Sequence, residues 1–449
     1  MKKEISFFKK SKLNLPIILF IAFVDYLGIG LVFPIFGFLL FDTSHPIVPF
    51  DSSPEYRGAI LGLLIGLTPL CQFFCSPLLG SFSDIKGRKI ALIVGISVGS
   101  FGYLLGVLGV YFNSLTLLFL HRIFVGASDS TAGVAQATIA DISTEKNKTK
   151  RFAYMNASLG VGFTLGPLLG SFTADPAIVS WFSYSTPIAL AGLMTLVNLF
   201  LVGCLFSETK SKLVNIRLSF IEGLNNIQKI FFLKGFRWLI LGWFFLSFGW
   251  AIFNEFAPVL LHYRFDFTLN NIGGYYAFTG CCYALGALIS AHFIDKFMPE
   301  KVAIFSLLFA ASCMLAFILV NDFFYLWCII PFMMFSLTLV SLTATTLVSN
   351  RASVETQGEV LGMFQSVGAA AMGLSPLFLG TAIGAFPELT GFGGSVCLII
   401  SSFGFWMGVN PNILQAAGDN LETAVSRLKP DLHPKSRLNL GELDKLPDE

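Results

Sequence analysis

Twelve long apolar stretches run along this chain, and each is long enough to cross a membrane as a helix. An α-helix rises ~1.5 Å per residue, so about 20 apolar residues cross a hydrocarbon core of ~30 Å. The stretches, numbered spans 1 to 12, cover residues 14–40, 59–82, 90–112, 115–139, 152–174, 185–206, 238–261, 272–294, 302–320, 324–347, 360–384 and 392–409. Barrel strands would alternate polar and apolar residues, whereas these runs are continuous. The sequence therefore predicts an all-α membrane protein with twelve transmembrane helices.

The composition excludes a water-soluble fold. Hydrophobic residues make up 55% of the chain and charged residues 12%, against ~25% charged residues in soluble proteins. All eight cysteines fall within spans, and none has a Cys-x-x-Cys spacing. We interpret them as packing residues and expect neither a metal site nor a cofactor.

Positive charge is distributed unevenly between the connections. All of the 29 Lys and Arg residues except Arg57, Arg122 and Arg264 lie before span 1, in alternate connections or after span 12. Lys and Arg are enriched on the cytoplasmic side of membrane proteins. We therefore predict a multi-pass protein of the cytoplasmic (inner) membrane, with both termini in the cytoplasm.

The spans divide into two similar halves. Pro167 in span 5 aligns with Pro376 in span 11 at a constant offset, and Asn156 aligns with Gln365 at the same offset. Two six-helix bundles related by a pseudo-two-fold axis along the membrane normal would enclose a binding site near the midplane. The predicted units are a first bundle (1–206), an interfacial cytoplasmic connection (207–237), a second bundle (238–409) and a cytoplasmic tail (410–449).

Four segments carry a resemblance to a known family. They are Asp25 to Pro34 in span 1, the Gly-Ser-Phe-Ser-Asp-Ile-Lys-Gly-Arg-Lys loop at 80–89, the two ends of span 4 at 122–126 and 139–143, and Gly-x-x-x-Gly-Pro-x-x-Gly-Ser at 162–171. In these segments the chain resembles the major facilitator superfamily, specifically its 12-helix drug:proton antiporters of the tetracycline/proton antiporter-like group. The resemblance implies two six-helix bundles and proton-driven export by alternating access.

The loop at 80–89 carries the predicted gate. Gly80 should let span 2 approach a neighbouring helix closely, and Gly87 should permit a tight turn. Arg88 is four residues after Asp84, and Asp141 at the end of span 4 is a second possible partner. We predict that these three charges form one cytoplasmic cluster in the outward-open state. The alternative is that the basic residues only fix topology.

Span 5 carries a second predicted gating element. Gly162, Gly166 and Gly170 give one side of the helix a smooth surface, and Pro167 removes a backbone donor and bends it. We predict that this bent helix shapes the mouth of the cavity. Ordinary packing of small residues is the alternative.

Four ionisable residues fall at membrane depth: Asp25, Arg122, Asp129 and Glu255. Each costs ~2.5–3.5 kcal/mol at a helix centre. Low dielectric disfavours an ionised carboxylate and a nearby Arg favours it, so a carboxylate under both influences can exchange a proton as its surroundings change. We predict that these residues couple transport to protons. The alternatives are a structural hydrogen bond to a neighbouring helix for Asp25, a side chain that snorkels to the outer face for Arg122, and a packing or loop-edge role for Asp129 and Glu255. Asp129 stands where the tetracycline-type pattern has a small residue.

Polar and aromatic side chains on several spans are predicted to contact substrate. They are Gln72, Asn156, Trp250, Asn254 and Gln365. The alternative is that they tie helices together, at about 1 kcal/mol or less each.

We predict a proton-coupled secondary transporter that exports an amphipathic small molecule or drug. A nucleotide-binding Gly-x-x-x-x-Gly-Lys-Ser/Thr loop is absent from the sequence, as is any recognisable catalytic constellation, so we do not expect an enzyme. Its predicted partners are a small-molecule substrate, protons and the lipid bilayer, with no nucleic acid, and we expect a monomer. An importer of a nutrient or metal chelate with the same fold, and a receptor or scaffold without flux, are the alternatives.

Overall fold

The computed structural model describes residues 13–41, 47–210, 236–294, 298–351 and 357–409, and the statements below concern those residues. Most of the predicted connection at 207–237 and the tail at 410–449 lie outside them.

Every regular element in the described ranges is a helix. The helices are α1 (Asn14–Phe41), α2 (Pro54–Lys86), α3 (Arg88–Tyr111), α4 (Leu115–Ser128), α5 (Thr131–Ile142), α6 (Glu145–Ala174), α7 (Ser185–Leu205), α8 (Arg237–Phe265), α9 (Leu269–Ile294), α10 (Pro299–Leu319), α11 (Phe323–Arg351), α12 (Gln357–Ala385) and α13 (Leu389–Val409). Eleven of them have the length and composition to cross a membrane. The predicted all-helical class is confirmed.

Span 4 differs from the prediction of one continuous helix. It consists of α4 and α5, which are separated by Asp129 and Ser130. The backbone there stays right-handed, with ψ of −13° at Asp129 and −15° at Ser130, but the N–H groups of Ala132 and Gly133 bond three residues back rather than four. Ser, Asp and Thr side chains compete with the helix for backbone hydrogen bonds, which favours a break in this Ser-Asp-Ser-Thr run.

The helices pack as two sets. Helices α1 to α7 contact one another, as do α8 to α13. A corner at Gly87, with φ of +99°, separates α2 from α3. We call the end of the molecule that carries this corner the Arg88 end, and the opposite end, where α2 begins, the Pro54 end.

The two sets are joined by α2 against α12 and by α6 against α9. The internal repeat relates α2 to α9 and α6 to α12. The contact of α2 with α12 is therefore equivalent to the contact of α9 with α6. Between α2 and α12, glycines face backbone: a Cβ atom at Gly62 would lie 2.9 Å from the carbonyl carbon of Pro376, and one at Gly384 would lie 3.0 Å from Gly58 Cα. Helices without side chains at the contact can approach this closely.

The contact between α6 and α9 follows the same principle. A Cβ atom at Gly280 would lie 3.1 Å from Thr164 Cβ, and Asn270 donates to the Asp175 carboxylate at 2.6 Å. These residues, like Gly62 and Gly384, lie between the middle of the bundle and the Pro54 end. The structure therefore has its two halves joined at the Pro54 end.

Candidate functional site

Four charged side chains interact in succession from the first half to the second: Asp25 with Asp129, Asp129 with Arg122, and Arg122 with Glu255. Asp25 comes from α1, Arg122 from α4, Asp129 from the break in span 4, and Glu255 from α8 of the second half. Arg122, Asp129 and Glu255 are only 5–6% exposed, and Asp25 is half-buried. The helices thus bring together all four residues that were predicted to couple transport to protons.

Arg122 is held by main-chain and aromatic partners. Its Nε donates to the Leu64 carbonyl at 2.7 Å, and its guanidinium carbon lies 5.3 Å from the centre of the Phe36 ring. Arg122 attracts the carboxylates of Asp129 and Glu255, but among the described residues no carboxylate lies within 4.0 Å of it. The Arg122 side chain is buried and does not extend to a membrane surface. Its positive charge can therefore interact with both Asp129 and Glu255.

Asp25 and Asp129 meet at the break in span 4. Thr131, the first residue of α5, donates its hydroxyl to Asp25 Oδ2 at 3.1 Å. The two carboxylates are close enough to repel each other when both are ionised. Asp129 Oδ2 is buried and has no hydrogen-bond partner among the described residues. This pair can hold a proton or another small cation between α1 and the break.

Glu255 lies within a fully buried stretch of α8. Residues 251–261 are all buried, and Oε2 of Glu255 has no partner in the described structure. The neighbouring Asn254 accepts a hydrogen bond at its main-chain carbonyl from the Tyr276 hydroxyl at 2.5 Å. The alternative placement of Glu255 at a loop edge is therefore wrong, since α8 continues for ten residues beyond it, to Phe265.

The predicted cluster at the Arg88 end is present. Arg88 lies 2.9 Å from Asp84 Oδ1 and 2.9 Å from Asp141 Oδ2. All three residues of this cluster belong to the first half, and the cluster is present although the two halves are joined at the Pro54 end. Its formation therefore does not require closure of the Arg88 end, and its gating role remains a prediction.

Two residues of this cluster were missed by the sequence reasoning, Glu208 and Lys210. The Glu208 carboxylate accepts from the backbone N–H of Arg88 at 2.9 Å and of Lys89 at 3.0 Å, and Lys210 Nζ pairs with Asp84. Glu208 thus caps α3, whose own N-cap residue is a glycine without a side chain. The Ser-Glu-Thr-Lys segment directly after span 6 was the available signal, because charges there lie at the same end as the 80–89 loop.

The two glycines of the loop have different surroundings. Gly87 makes the predicted tight turn, with φ of +99°, and a Cβ atom there would lie 2.8 Å from the carboxyl carbon of Glu208. The prediction for Gly80 is wrong: a Cβ atom there would meet nothing within 4 Å. The close approach of α2 to another helix occurs nearer the Pro54 end.

The predicted gating element of span 5 packs against α1. A Cβ atom at Gly166 would lie 2.6 Å from Gly30 Cα, one at Gly162 would lie 3.0 Å from Leu27 N, and Gly170 fits against Leu31 in the same way. Pro167 also faces α1, because a Cβ atom at Gly30 would lie 2.8 Å from Pro167 Cδ. The glycine stripe thus fixes α6 against α1 within the first half.

The residues predicted to contact substrate have varied surroundings. Gln72 donates its side-chain amide to the Asp129 carbonyl at 3.2 Å, and Asn254 is buried beside Glu255. Trp250 is half-buried, with its ring stacked 6.3 Å from that of Phe253. The remaining two, Asn156 and Gln365, are exposed. Within the described residues, no group of three His, Cys, Asp or Glu side chains has the arrangement of a metal site.

Comparison with known proteins gives concordant matches. A family model described as Major Facilitator Superfamily matches residues 18–376. Curated relatives include the class H tetracycline resistance protein of Pasteurella multocida, 27% identical over 293 residues, which are 65% of this chain and 69% of the relative. Another is the quinolone resistance protein NorA of Staphylococcus aureus (strain COL), 27% identical over 377 residues, 81% of this chain and 88% of the relative.

Solved structures share the fold. The human organic anion transporter MFSD10 (TETRAN) aligns with a TM-score of 0.62 and 20% identity over 89% of this chain and 98% of its own. The nucleoside transporter NupG aligns with a TM-score of 0.69 and 13% identity over 89% of this chain and 100% of its own. At these identities the likeness concerns the fold alone.

Proposed function

Since this chain belongs to the Major Facilitator Superfamily, we propose that it exports amphipathic small molecules from the cytoplasm in exchange for protons, by alternating access. The family consists of transporters, in agreement with the expectation that the chain is not an enzyme. The observation that carries the proposal is a connected group of four buried or half-buried charges: Arg122 interacts with Asp129 of the first half and with Glu255 of the second, and Asp129 interacts in turn with Asp25.

The charge balance of this group favours a mobile cation. The group contains three carboxylates and one guanidinium, so with all four side chains ionised it carries a net charge of −2 in surroundings of low dielectric. Buried charges without close partners are costly, and they neutralise by taking up protons or a cationic ligand. Unpartnered oxygen atoms on Asp129 and Glu255 are where such a cation would bind. Protons and a substrate that carries positive charge would then compete for the same carboxylates.

The position of the group suits alternating access. Glu255 belongs to the second half and the other three residues belong to the first, so separation of the halves changes the distance between Glu255 and Arg122. A carboxylate that moves away from an arginine holds its proton more tightly. Motion of the halves and loss of a proton are therefore coupled through the same four side chains.

We place the Arg88 end in the cytoplasm. Lys86, Arg88 and Lys89 lie at that end, and Lys and Arg are enriched at cytoplasmic ends of membrane helices. In this orientation the described structure is joined on the external side, and both termini are cytoplasmic. We also propose that the protein is a monomer of the inner membrane. The first bundle comprises residues 1–206 and the second residues 238–409.

The substrate class rests on the relatives and on the site. Proteins named for tetracycline and quinolone resistance match most of the chain, and both drugs are amphipathic and bear ionisable groups. In this chain Asn254 directly precedes Glu255, and Trp250 lies little more than one turn before it on the same helix; we propose that both contact a bound molecule. Asn156 and Gln365, which are exposed, would contact it from the open side.

Reconstitution in proteoliposomes tests the proposal. Tetracycline and a quinolone serve as probes, and a pH-sensitive dye trapped inside reports proton movement. We expect each transported probe to move protons in the opposite direction, and a pH gradient to drive probe accumulation. Proton movement in the same direction as the probe, or transport indifferent to pH, would contradict the exchange mechanism.

One variant and its control separate proton coupling from binding of the probe. Asp25→Asn keeps a hydrogen-bonding side chain and loses the titratable proton, so we expect it to abolish proton-driven accumulation while probe exchange persists. Asp51→Asn is the matched control, because Asp51 is exposed at the Pro54 end. Normal proton-driven accumulation by Asp25→Asn would move the coupling role to Asp129 or Glu255.

A further inference from the structure

The break in span 4 is held by a side chain from another helix. Gln72 of α2 donates through Nε2 to the Asp129 carbonyl at 3.2 Å, and the Ser130 hydroxyl donates back to the Gln72 carbonyl at 3.5 Å. Residues 127–131, Ala-Ser-Asp-Ser-Thr, contain no Pro. A side chain that enters the i→i−4 ladder is one of the other causes of a helix kink, beside Gly/Ser pairs. At this break the Gln72 amide is the side chain that bonds to a carbonyl of the interrupted ladder.

The Asp129 carbonyl accepts two hydrogen bonds. One comes from Gln72, and the other comes from the Ala132 N–H at 3.2 Å, which bonds three residues back instead of four. Such tight turns inside a helix are typical of 3₁₀ geometry and often mark a functional hinge. A carbonyl oxygen has two lone pairs, so the Asp129 oxygen can accept from the Ala132 N–H and from the Gln72 amide at the same time. The hydrogen bond from Gln72 stabilises the carbonyl in this tight turn.

The same break sets the direction of two carboxylates. The Asp129 side chain leaves the chain at the break, and Thr131, two residues later, bonds to Asp25. Asp129 is 6% exposed and one of its oxygens has no partner. The other titratable groups around this junction are Asp25 and Tyr26 from α1, Cys71 from α2, Tyr103 from α3 and Arg122 from α4. A rotation of the break changes the distance from Asp129 to each of them.

We propose that Gln72 is a positioning residue for proton exchange at Asp129. It holds the interrupted helix and so fixes the direction of the Asp129 carboxylate, without contacting the substrate. If the amide is removed, the chain can restore i→i−4 bonds across Asp129 and Ser130, which turns Asp129 away from its present surroundings. The inference rests on the proposed function in one respect, that Asp129 exchanges protons during transport.

The test is an infrared titration of purified full-length protein in lipid, without substrate. The component of the protonated-carboxyl band that disappears in Asp129→Asn belongs to Asp129. In Gln72→Ala we expect the midpoint of that component to move by about one pH unit, a tenfold change in proton affinity. Gln136→Ala is the matched control, since Gln136 is an exposed glutamine on α5, and its midpoint should match that of the parent.

If the titration midpoint of Asp129 is unchanged in Gln72→Ala, the proposal is overturned. If, in addition, that variant binds tetracycline more weakly, Gln72 is a substrate contact instead. Gln72→Met keeps the side-chain length and removes the amide group, so it replaces the alanine variant if that variant does not accumulate. The same midpoint shift is expected. If the parent moves no protons with either probe but the midpoint still shifts, the proposed function fails and the positioning role stands.

Discussion

Replacement of Gly62 by alanine tests whether the glycine contact at the Pro54 end holds the two halves together. The added Cβ atom would lie 2.9 Å from the Pro376 carbonyl carbon and 3.3 Å from Gly380 Cα. Both neighbours are backbone, so no side chain can rotate away. Overpacking of this kind costs ~1–3 kcal/mol, which corresponds to a shift of about 5- to 150-fold in the ratio of two conformations. We expect the joined conformation to lose population by that factor.

Pulsed electron spin resonance distances between spin labels measure the shift. Labels at Tyr111 and Phe324, both exposed at the Pro54 end, report that end of the two halves. Labels at Lys86 and Lys301, both exposed at the other end, report the Arg88 end. In Gly62→Ala the first distance should lengthen and the second should shorten, since the halves move as rigid bundles.

Gly80→Ala is the matched control. It makes the same exchange in the same helix, with the same gain in helix propensity of up to about 1 kcal/mol, but a Cβ atom there meets nothing within 4 Å. Identical distance distributions for Gly62→Ala and Gly80→Ala would refute the reasoning, because contact at Gly62 would then not favour the joined conformation.

Three further predictions concern the charged groups. Asp84→Asn weakens the contacts to Arg88 and Lys210 and should slow transport several-fold in proteoliposomes while the amount of protein inserted in the membrane stays at the parental level. Glu208→Ala removes the cap of α3 and should lower the free energy of unfolding by ~1 kcal/mol, seen as a lower midpoint of thermal unfolding; an unchanged midpoint would mean that the cap adds nothing to stability. Asp129→Gly should change the relative rates for cationic and neutral substrates more than it changes the protein level, whereas an equal loss for all substrates with poor folding would show that Asp129 is structural.

The sequence predicts the helices and the Arg88 cluster well, for different reasons. Continuous apolar runs leave few alternatives to membrane helices. Arg88 and Asp84 are four residues apart in sequence, and Asp141 ends a predicted helix at the same end of the bundle. For Gly58, Gly62 and Gly66 the spacing of four residues was visible in the sequence, but the helix face that meets α12 was not.

The local sequence favours the break in span 4 but does not determine it. The Ser-Asp-Ser-Thr run competes with the helix for backbone hydrogen bonds without forcing the helix to end, and the side chain that holds the break, Gln72, lies 57 residues away. Glu208 shows the same limit, since it caps a helix that begins 120 residues earlier. Contacts of this kind depend on which helices become neighbours, and a single sequence with similar spans throughout does not specify that.

The cap supplied by Glu208 also sets an order of events during synthesis. The corner at Gly87 is made early, but the carboxylate that satisfies the Arg88 and Lys89 N–H groups leaves the ribosome only after α7 is complete. Until then the backbone N–H groups of Arg88 and Lys89 lack the carboxylate that accepts from them, and Lys210 has not reached Asp84. The first bundle therefore reaches its finished form only when the chain has passed residue 210, so a fragment that ends at Leu205 would insert its helices but leave this corner open.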